Sequence, residues 1–246
     1  MRILLALVAS VAVAACSPSG GSAPAADSPV QRNAQGFPQP DRPAAGIVAS
    51  EWSSGVNRDA ADESGQLIRG LGIASGMNVA DIGAGSGYHT LRLAPAVGPK
   101  GVVFAEDIVE SYLSGLKREA ERRGLKNVRI IVGAPDDPKL PKDSVDRAVL
   151  VHMYHEIANP YPLLWNLASA LKPNAQVGVI DLDRPINRHG TPPALLRCEF
   201  EAVGYRQVSF STMLGGVGYL AVFEAPAPGA RPKPSDIQPC KAPPSP

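Results

Sequence analysis

Short apolar runs alternate with longer amphipathic segments from about residue 50 to residue 225. Seven of these runs predict strands, which we place at residues 78–82, 102–106, 128–132, 146–151, 176–182, 206–211 and 217–223. The first five are almost continuously apolar, as is typical of parallel strands that are buried on both faces. We therefore expect an α/β fold with a doubly wound, seven-stranded sheet. The sheet should be mostly parallel, with an antiparallel strand in its C-terminal hairpin.

The segments between these strands predict five helices, at about residues 58–71, 88–97, 109–123, 159–171 and 192–203. Gly98, Gly124 and Gly204 follow three of them, and glycine is a common residue at the C-terminal end of a helix. The charged run at residues 117–123 is interpreted as a solvated helix face. Strands and helices in this order favour right-handed crossovers between neighbouring parallel strands.

The first sixteen residues have the features of an export signal. Arg2 precedes an apolar run at residues 3–15, which is too short to cross a bilayer as a helix but suits a signal peptide. Residues 13–16 (VAAC) then resemble a bacterial lipobox, in which cleavage leaves Cys16 to be lipidated. A plain secretory signal with a chance cysteine is the alternative. We expect a lipid anchor on the periplasmic side of a bacterial membrane, with the outer membrane favoured because Ser17 follows the cysteine.

The composition of the chain indicates the limits of its domain and the class of its partner. Many of the 25 prolines fall near the two ends of the chain, so residues 17–49 predict a flexible Pro/Ser/Ala-rich tether and residues 226–246 a Pro-rich C-terminal tail. In an oxidising compartment we expect a disulfide between Cys198 and Cys240, with two independent thiols as the alternative. The formal net charge of +1 gives no electrostatic footprint for nucleic acid. The expected partner is therefore a small molecule, and the membrane is met only through the lipid anchor.

Residues 79–88 (VADIGAGSGY) carry the most informative motif in the chain. A strand ends in Asp81, a glycine-rich turn follows, and a helix begins, so a ligand can approach the backbone closely at the turn. The G-x-G-x-G spacing differs from the G-x-G-x-x-G of dinucleotide sites. A carboxylate next to the turn disfavours a pyrophosphate and favours a cationic amino group. The segment closely resembles the first motif of class I S-adenosylmethionine-dependent methyltransferases.

The resemblance implies S-adenosylmethionine as the cofactor and these binding residues: Asp81, Gly83, Ala84, Gly85, Gly87, Glu106, Asp107, Asp136 and Asp137. In this family an acid at the end of the second strand accepts hydrogen bonds from the ribose hydroxyls. Asp107 fits that position best, Glu106 is the alternative, and a merely solvated pair of strand-end acids is also open. Ala134 stands where the family commonly has an acid for the adenine amino group, so we expect Asp136 or Asp137 to replace it.

Two further segments extend the resemblance. Residues 144–151 (SVDRAVLV) resemble the fourth strand of the family, and residues 171–176 (LKPNAQ) resemble its LxPGG turn. Asn174 replaces a glycine there and tolerates the left-handed conformation that the turn requires. Together the matches cover about residues 70–223 in the family's order, and they imply a Rossmann-like methyltransferase domain over residues 50–225.

Residues 152–156 (HMYHE) follow the fourth predicted strand, at the edge where the methyl acceptor should lie. His155 is the candidate general base, because an imidazole can take a proton near neutral pH. His152, His155 and Glu156 could instead bind a metal ion, but three ligands this close in sequence rarely converge without a fourth, so we predict no metal. Structural roles for these residues also stay open. Asp181 and Asp183 follow the fifth strand as possible substrate contacts, and Trp52 is predicted to pack in the core.

These observations predict an S-adenosylmethionine-dependent methyltransferase that acts on a small acceptor. The export signal raises one alternative, because S-adenosylmethionine is made in the cytoplasm. In that alternative the chain keeps the fold but serves as a non-catalytic periplasmic protein that binds a small ligand.

Overall fold

The computed structural model describes residues 29–47, 55–227 and 229–241. Its strands are β1 (Asn78–Ile82), β2 (Val102–Asp107), β3 (Val128–Val132), β4 (Val145–Val151), β5 (Leu171–Asp181), β6 (Arg206–Thr212) and β7 (Tyr219–Glu224). Its α-helices are α1 (Gly55–Ala60), α2 (Glu63–Gly70), α3 (Thr90–Val97), α4 (Glu110–Arg122), α5 (Pro160–Ala170) and α6 (Pro193–Ala202). Within these residues, no helix has both the length and the apolar character needed to cross a bilayer.

One seven-stranded sheet runs through the molecule in the order β3-β2-β1-β4-β5-β7-β6. Strands β1 to β5 pair in parallel, and β7 runs antiparallel to both β5 and β6. The predicted fold class is therefore confirmed. Strand β1 lies between β2 and β4, so the strand order reverses beside it. In doubly wound sheets this switch point opens a crevice at the carboxyl ends of the strands.

The sheet is covered by apolar side chains on both faces. Along β4, Val149 faces one apolar cluster while Ala148 and Leu150 face the other, as the alternation of strand side chains requires. The first cluster includes Leu67 of α2 and Leu93 of α3, and both are fully buried. Helices α5 and α6 contribute side chains to the other cluster. The central strands are thus buried on both faces, as their apolar runs predict.

Strand β3 departs from that prediction. None of its residues is fully buried, and the side chain of Val132 is exposed. The reason is its position, because β3 pairs only with β2 and forms one edge of the sheet. An apolar run alone does not distinguish an edge strand from a central one.

The helix predicted at residues 58–71 is two helices, α1 and α2. Asp62 separates them, and its φ of 50° lies in the left-handed region that a continuous α-helix cannot contain. The break lets the last turn of α1 fold back on the start of α2. As a result the Arg58 guanidinium contacts the Glu63 carboxylate, with Nε at 2.7 Å from Oε1.

The prediction of a flexible tether is wrong for residues 29–47, which pack on the domain. The Phe37 ring is buried in the core beside Trp165. The Arg32 guanidinium donates to the carbonyl oxygens of Pro234 and Ile237 in the C-terminal segment. These residues are held because specific side chains find partners, despite a composition that is typical of linkers. The predictions for Cys16 and Trp52 lie outside the described residues.

The C-terminal segment is also attached to the domain. Cys198 of α6 and Cys240 form a disulfide, with their Cα atoms 6.0 Å apart. The backbone N–H of Cys240 also donates to the hydroxyl of Tyr161, at 2.7 Å. The segment thus joins α5 and α6 near the point where residues 29–47 cross the same surface. Asp41 pairs with Lys241 in an isolated bridge there.

A buried ion pair fastens the N-terminal segment. The side chains of Arg42 and Glu199 are both fully buried, with Nε 2.7 Å from Oε1. The hydroxyl of Tyr154 donates to the other oxygen of Glu199 at 2.8 Å. Because removal of one partner leaves a buried charge without compensation, the pair should matter far more than a surface pair.

Replacing Arg42 with Ala is expected to lower the free energy of unfolding by about 3–5 kcal/mol, since Glu199 stays buried. Urea unfolding followed by circular dichroism measures the loss. Arg69→Ala is the matched control, because the side chains of Arg69 and Asp62 are 66% and 62% exposed. That control should cost less than about 1 kcal/mol. Similar losses in the two variants would contradict the assignment.

Candidate functional site

A cavity of about 370 Å³ opens at the carboxyl ends of β1, β2 and β4, at the switch point of the sheet. Its wall combines the turn after β1, the end of β2, the loop after β3 and the loop after β4. The residues that line it include Gly83, Ala84, Gly85, Ser86, Glu106, Asp107, Ile108, Val109, Tyr112, Ala134, Pro135, His152, Met153, Glu156 and Ile157. Arg58 and Tyr88 close one side. This size falls in the range of small-molecule sites.

The glycine-rich turn contributes backbone to this wall. Gly85 has a φ of 54° and lies on the cavity, as does Gly83. Gly87 does not line the cavity. A Cβ atom built on Gly87 would come within 2.1 Å of a methyl carbon of Leu116, so this glycine permits close packing between the turn and α4. The sequence predicts the turn correctly, but only part of it faces the cavity.

Asp107 ties the end of β2 to the glycine turn. Its Oδ2 accepts a hydrogen bond from the N–H of Gly85, and its Oδ1 accepts one from the N–H of Val109, both at 2.8 Å. Each carboxylate oxygen keeps a further lone pair for a ligand hydroxyl. The carboxylate is therefore fixed at the cavity wall by backbone alone.

Glu106 lies beside Asp107 in a different environment. Its Oε2 is 3.4 Å from the N–H of Gly83, and its other oxygen occupies the space that a Cβ atom on Gly133 would fill. Burial, reinforced by the charges of Asp107 and Asp81, raises the pKa of Glu106 to about 8. At neutral pH this side chain is mostly a carboxylic acid, which can donate a hydrogen bond as well as accept one.

Besides Gly87, three of the predicted cofactor contacts are not on the cavity wall. Asp81 is buried and accepts a hydrogen bond from Thr90 Oγ1 at 2.6 Å, which fixes the end of β1 to α3. Burial raises the pKa of Asp81, against the opposing effects of His89 and Thr90. Asp136 and Asp137 also lie off the wall, where Ala134 and Pro135 stand instead. Asp137 accepts from the N–H of Lys139 within its own turn.

The structure does not support His155 as the general base. Its ring is fully buried and does not line the cavity, and its Nδ1 lies 3.0 Å from Oδ2 of Asp181. His152 does line the cavity, and its Nε2 lies 3.1 Å from Oε2 of Glu63. His152 has a φ of 52°, a left-handed conformation that is uncommon outside glycine and often marks a functional position.

The carboxylate of Glu63 organises a cluster that the sequence predictions missed. Glu63 is fully buried, and its oxygens contact Arg58, His89 and His152. Burial raises its pKa, but the hydrogen bonds from His152 and His89 outweigh burial, so the pKa lies well below its usual range. Glu63 is thus an anion held directly behind the cavity wall.

One signal could have revealed this cluster. Glu63 precedes Leu67 by one helical turn and Leu71 by two, so it lies on the apolar face of α2. A charged residue on a buried face needs a partner, and that partner is often functional. The identity of the partners could not be read from spacing, because His89 and His152 come from distant elements.

The fold and this site define a class of protein, and comparison with known proteins agrees. A family model described as a methyltransferase domain matches residues 73–209, which is more than half of the chain. The chain belongs to this methyltransferase-domain family.

Individual relatives are distant and partial. A protein-L-isoaspartate O-methyltransferase of Pyrococcus horikoshii is 32% identical over 102 residues, covering 42% of this chain and 43% of that protein. A demethylmenaquinone methyltransferase of Geobacillus stearothermophilus is 25% identical over 119 residues, covering 48% of this chain and 51% of that protein. The chain thus spans about half the length of the curated relatives it matches.

A solved structure agrees on the fold. A SAM-dependent methyltransferase from Aquifex aeolicus superposes with a TM-score of 0.61 at 24% identity, covering 66% of this chain and 88% of that one. At this identity the likeness shows the fold.

The protonated state of Glu106 predicts a pH-dependent stability. Its carboxyl binds a proton up to about pH 8 in the native state but releases it near pH 4.5 when unfolded, so the native state holds more protons in between. The free energy of unfolding should therefore fall as the pH rises across this window. Glu106→Gln should remove this contribution, which is at most about 1.4 kcal/mol per pH unit.

Urea unfolding at several pH values within this window measures the slope. Glu119→Gln is the control, because Arg122 and Arg123 lower the pKa of the partly exposed Glu119 to about 2. Proton binding by Glu119 differs between the native and unfolded states only below about pH 4.5. That variant should therefore keep the wild-type slope between about pH 4.5 and pH 8. An unchanged slope in Glu106→Gln would show that Glu106 is ionised in the native state.

Proposed function

We propose that this protein is an S-adenosylmethionine-dependent methyltransferase that acts on a small acceptor. One observation carries the proposal: Asp107 is hydrogen-bonded to Gly85, so a carboxylate suited to ribose hydroxyls and a glycine-rich turn share one cavity wall. The same wall continues to His152, a candidate base. Cofactor binding and proton removal are thus served by adjacent parts of one cavity.

The residues present fit this cofactor. The backbone at Gly85 leaves room for close approach, and Asp107 and Glu106 offer acceptors for two hydroxyl groups. Ile108 and Pro135 add apolar surface suited to a flat base, and Ile108 is 41% exposed. When bound, S-adenosylmethionine supplies an electrophilic methyl group on a sulfonium centre. The protein's task is then mainly to align an acceptor with that group.

His152 and Glu63 complete the proposed machinery at the acceptor side. The Glu63 carboxylate accepts from Nε2 of His152, which makes Nδ1 the basic nitrogen of the neutral ring. Nδ1 is buried in this structure, so a bound acceptor has to displace neighbouring wall side chains to reach it. A buried anion behind the ring also stabilises the imidazolium that forms when the acceptor loses its proton. Glu63 is a positioning residue in this arrangement, and His152 is the catalytic one.

The wall near His152 favours an acceptor with an apolar body and one ionisable group. Met153, Ile157 and Leu163 provide apolar contacts, while Arg58 and Tyr88 provide polar ones. A phenolic hydroxyl or a carboxyl group on a compact apolar scaffold fits this combination. The relatives described above are named for protein L-isoaspartate and for demethylmenaquinone, and carboxyl and hydroxyl acceptors both belong in a screen.

Calorimetry with S-adenosylmethionine and S-adenosylhomocysteine tests the cofactor assignment. Both are expected to bind the purified chain at one site. Asp107→Ala should weaken binding by about 1–3 kcal/mol, through loss of charge-assisted hydrogen bonds. Asp81→Asn is the matched control, because Asp81 lies off the wall, and it should change the affinity by less than about threefold. If neither compound binds at high micromolar concentration, the proposal fails.

Transfer of a radiolabelled methyl group to phenols, carboxylates and amines tests catalysis. His152→Asn should lower the turnover of an accepted substrate by about 100-fold or more and leave cofactor affinity unchanged. If the cofactor binds but no acceptor in the screen is methylated by the wild type, the non-catalytic binding protein becomes the better description.

We also propose that the protein is a lipoprotein exported to the periplasmic side of a bacterial membrane. The lipobox-like residues 13–16 support this location, and so does the disulfide between Cys198 and Cys240, because disulfides persist in oxidising compartments. The supply of S-adenosylmethionine outside the cytoplasm is then a requirement of the proposed activity.

Labelling of expressing bacteria with a radioactive fatty acid tests the anchor. Cys16→Ser is expected to abolish incorporation and release the protein from the membrane fraction. Cys240→Ser is the control, since Cys240 is paired with Cys198 and should not affect labelling. Lipid that persists on the Cys16→Ser variant would rule out the lipobox.

A further inference from the structure

Two loops at the carboxyl edge of the sheet bring three metal-binding side chains together. His155 and Glu156 lie in a short 3-10 turn after β4, and His189 follows a second 3-10 turn after β5. One ligand atom from each residue lies within 4.8 Å of the other two. The two imidazole rings meet edge to face, with their centroids 5.5 Å apart. The sequence predictions grouped His152 with His155 and Glu156, but the structure replaces His152 with His189.

Asp181 orients the His155 ring in this cluster. Both carboxylate oxygens of Asp181 lie 3.0–3.1 Å from Nδ1, and neither Asp181 nor His155 is exposed. A buried carboxylate at Nδ1 favours the tautomer with its proton there, which leaves Nε2 as the electron-pair donor. Histidine ligands in metal sites are commonly held by a carboxylate in this way.

Asp181 is itself fixed by its surroundings. Thr191 Oγ1 donates to it at 2.7 Å and the N–H of Leu182 at 2.8 Å. The loop that carries His189 is fixed by the same residues, because Thr191 N–H donates to the carbonyl oxygen of Leu182 and Tyr219 Oη donates to that of Thr191. His189 has a left-handed φ of 54°, a conformation that persists only where the surroundings impose it. The position of His189 is thus fixed by the hydrogen bonds of its loop.

We propose that His155, Glu156 and His189 bind one divalent transition-metal ion of the zinc class. Two imidazoles and one carboxylate form a donor set that zinc accepts with three protein ligands, which leaves a fourth position for water or a substrate atom. Ligand atoms around such an ion stand roughly 3.4 Å apart, so the three side chains need to close by about 1.4 Å or less on binding. The charges of Glu156 and Asp181 balance those of the ion.

This site is distinct from the Glu63 cluster, although it adjoins the cavity. Glu156 is one of the residues that line the cavity, whereas His155 is buried behind it. A bound ion would therefore stand at the acceptor side of the cavity wall. The proposal does not depend on the methyltransferase activity, because it concerns a ligand set outside the glycine turn and Asp107.

Titration of the metal-stripped full-length chain with Zn²⁺ in a calorimeter tests the proposal. Saturable binding of one ion and a higher melting temperature are expected. Glu156→Gln keeps the size of the side chain, and His189→Asn keeps a residue that tolerates left-handed backbone. Each should weaken Zn²⁺ binding by at least about 100-fold, and Asp181→Asn should weaken it by about 10–100-fold.

His152→Asn is the control for specificity. It removes a histidine three residues from His155 that contacts Glu63 instead, so Zn²⁺ affinity should stay within about twofold. Circular dichroism establishes that each variant is folded. The proposal is overturned if the wild type shows no saturable Zn²⁺ binding, or if Glu156→Gln and His189→Asn, both folded, bind as the wild type does. Cofactor calorimetry on the same samples separates this outcome from failure of the proposed function.

Discussion

The cost of burying carboxylates shapes this molecule more than any other constraint. An ionised carboxylate that leaves water must be paired, hydrogen-bonded or neutralised. The described part of the chain buries six acids: Glu63, Asp81, Glu106, Asp107, Asp181 and Glu199. Five of them accept hydrogen bonds that compensate for burial. The donor to Glu199 is an arginine, and the donors to Asp107 are backbone N–H groups. Glu106 is instead neutralised by its raised pKa. The partners of Glu63, Asp107, Asp181 and Glu199 include groups from elements that are distant in sequence.

Several contacts of the buried acids lie at one edge of the sheet, where the parallel strands have their carboxyl ends. Asp107 ties β2 to the turn after β1, Asp81 ties β1 to α3, and Asp181 ties β5 to the two loops that follow β4 and β5. The carboxyl edge is therefore more rigidly connected than loops alone would allow. A rigid edge suits a site whose main task is alignment, since small displacements of reacting groups are costly.

The sequence predicted the sheet closely because its signals are local. Runs of apolar residues located six strands to within two residues at each end, but missed the first five residues of β5, which begins at Leu171. Asn174 has the left-handed conformation that the sequence predicts, with a φ of 63°. Local patterns do not predict contacts between residues that are far apart in the sequence. Arg42 finds Glu199 far along the chain, so a segment with linker composition packs on the domain. The resemblance assigns Asp81 to the cofactor, and in the structure its side chain accepts a hydrogen bond from Thr90 and does not line the cavity.

The motif at residues 152–156 shows the same limit at the site. Its two histidines are three residues apart, and local spacing treats them as one group. The left-handed backbone at His152 and the following 3-10 turn send one ring toward Glu63 and the other toward Asp181. The four histidines of the chain thus divide into two pairs, one around Glu63 and one beside Glu156.

The order of the sheet also bears on how much of the chain folds as a unit. The region that matches the family ends at residue 209, within β6, yet β7 lies between β5 and β6. Without residues 219–224, β6 has no neighbour and the edge of β5 stays open for pairing with other chains. The sheet can be completed only after its last strand has been synthesised and has inserted between two strands made earlier. Completion of the sheet therefore waits for β7, however early the other six strands are made.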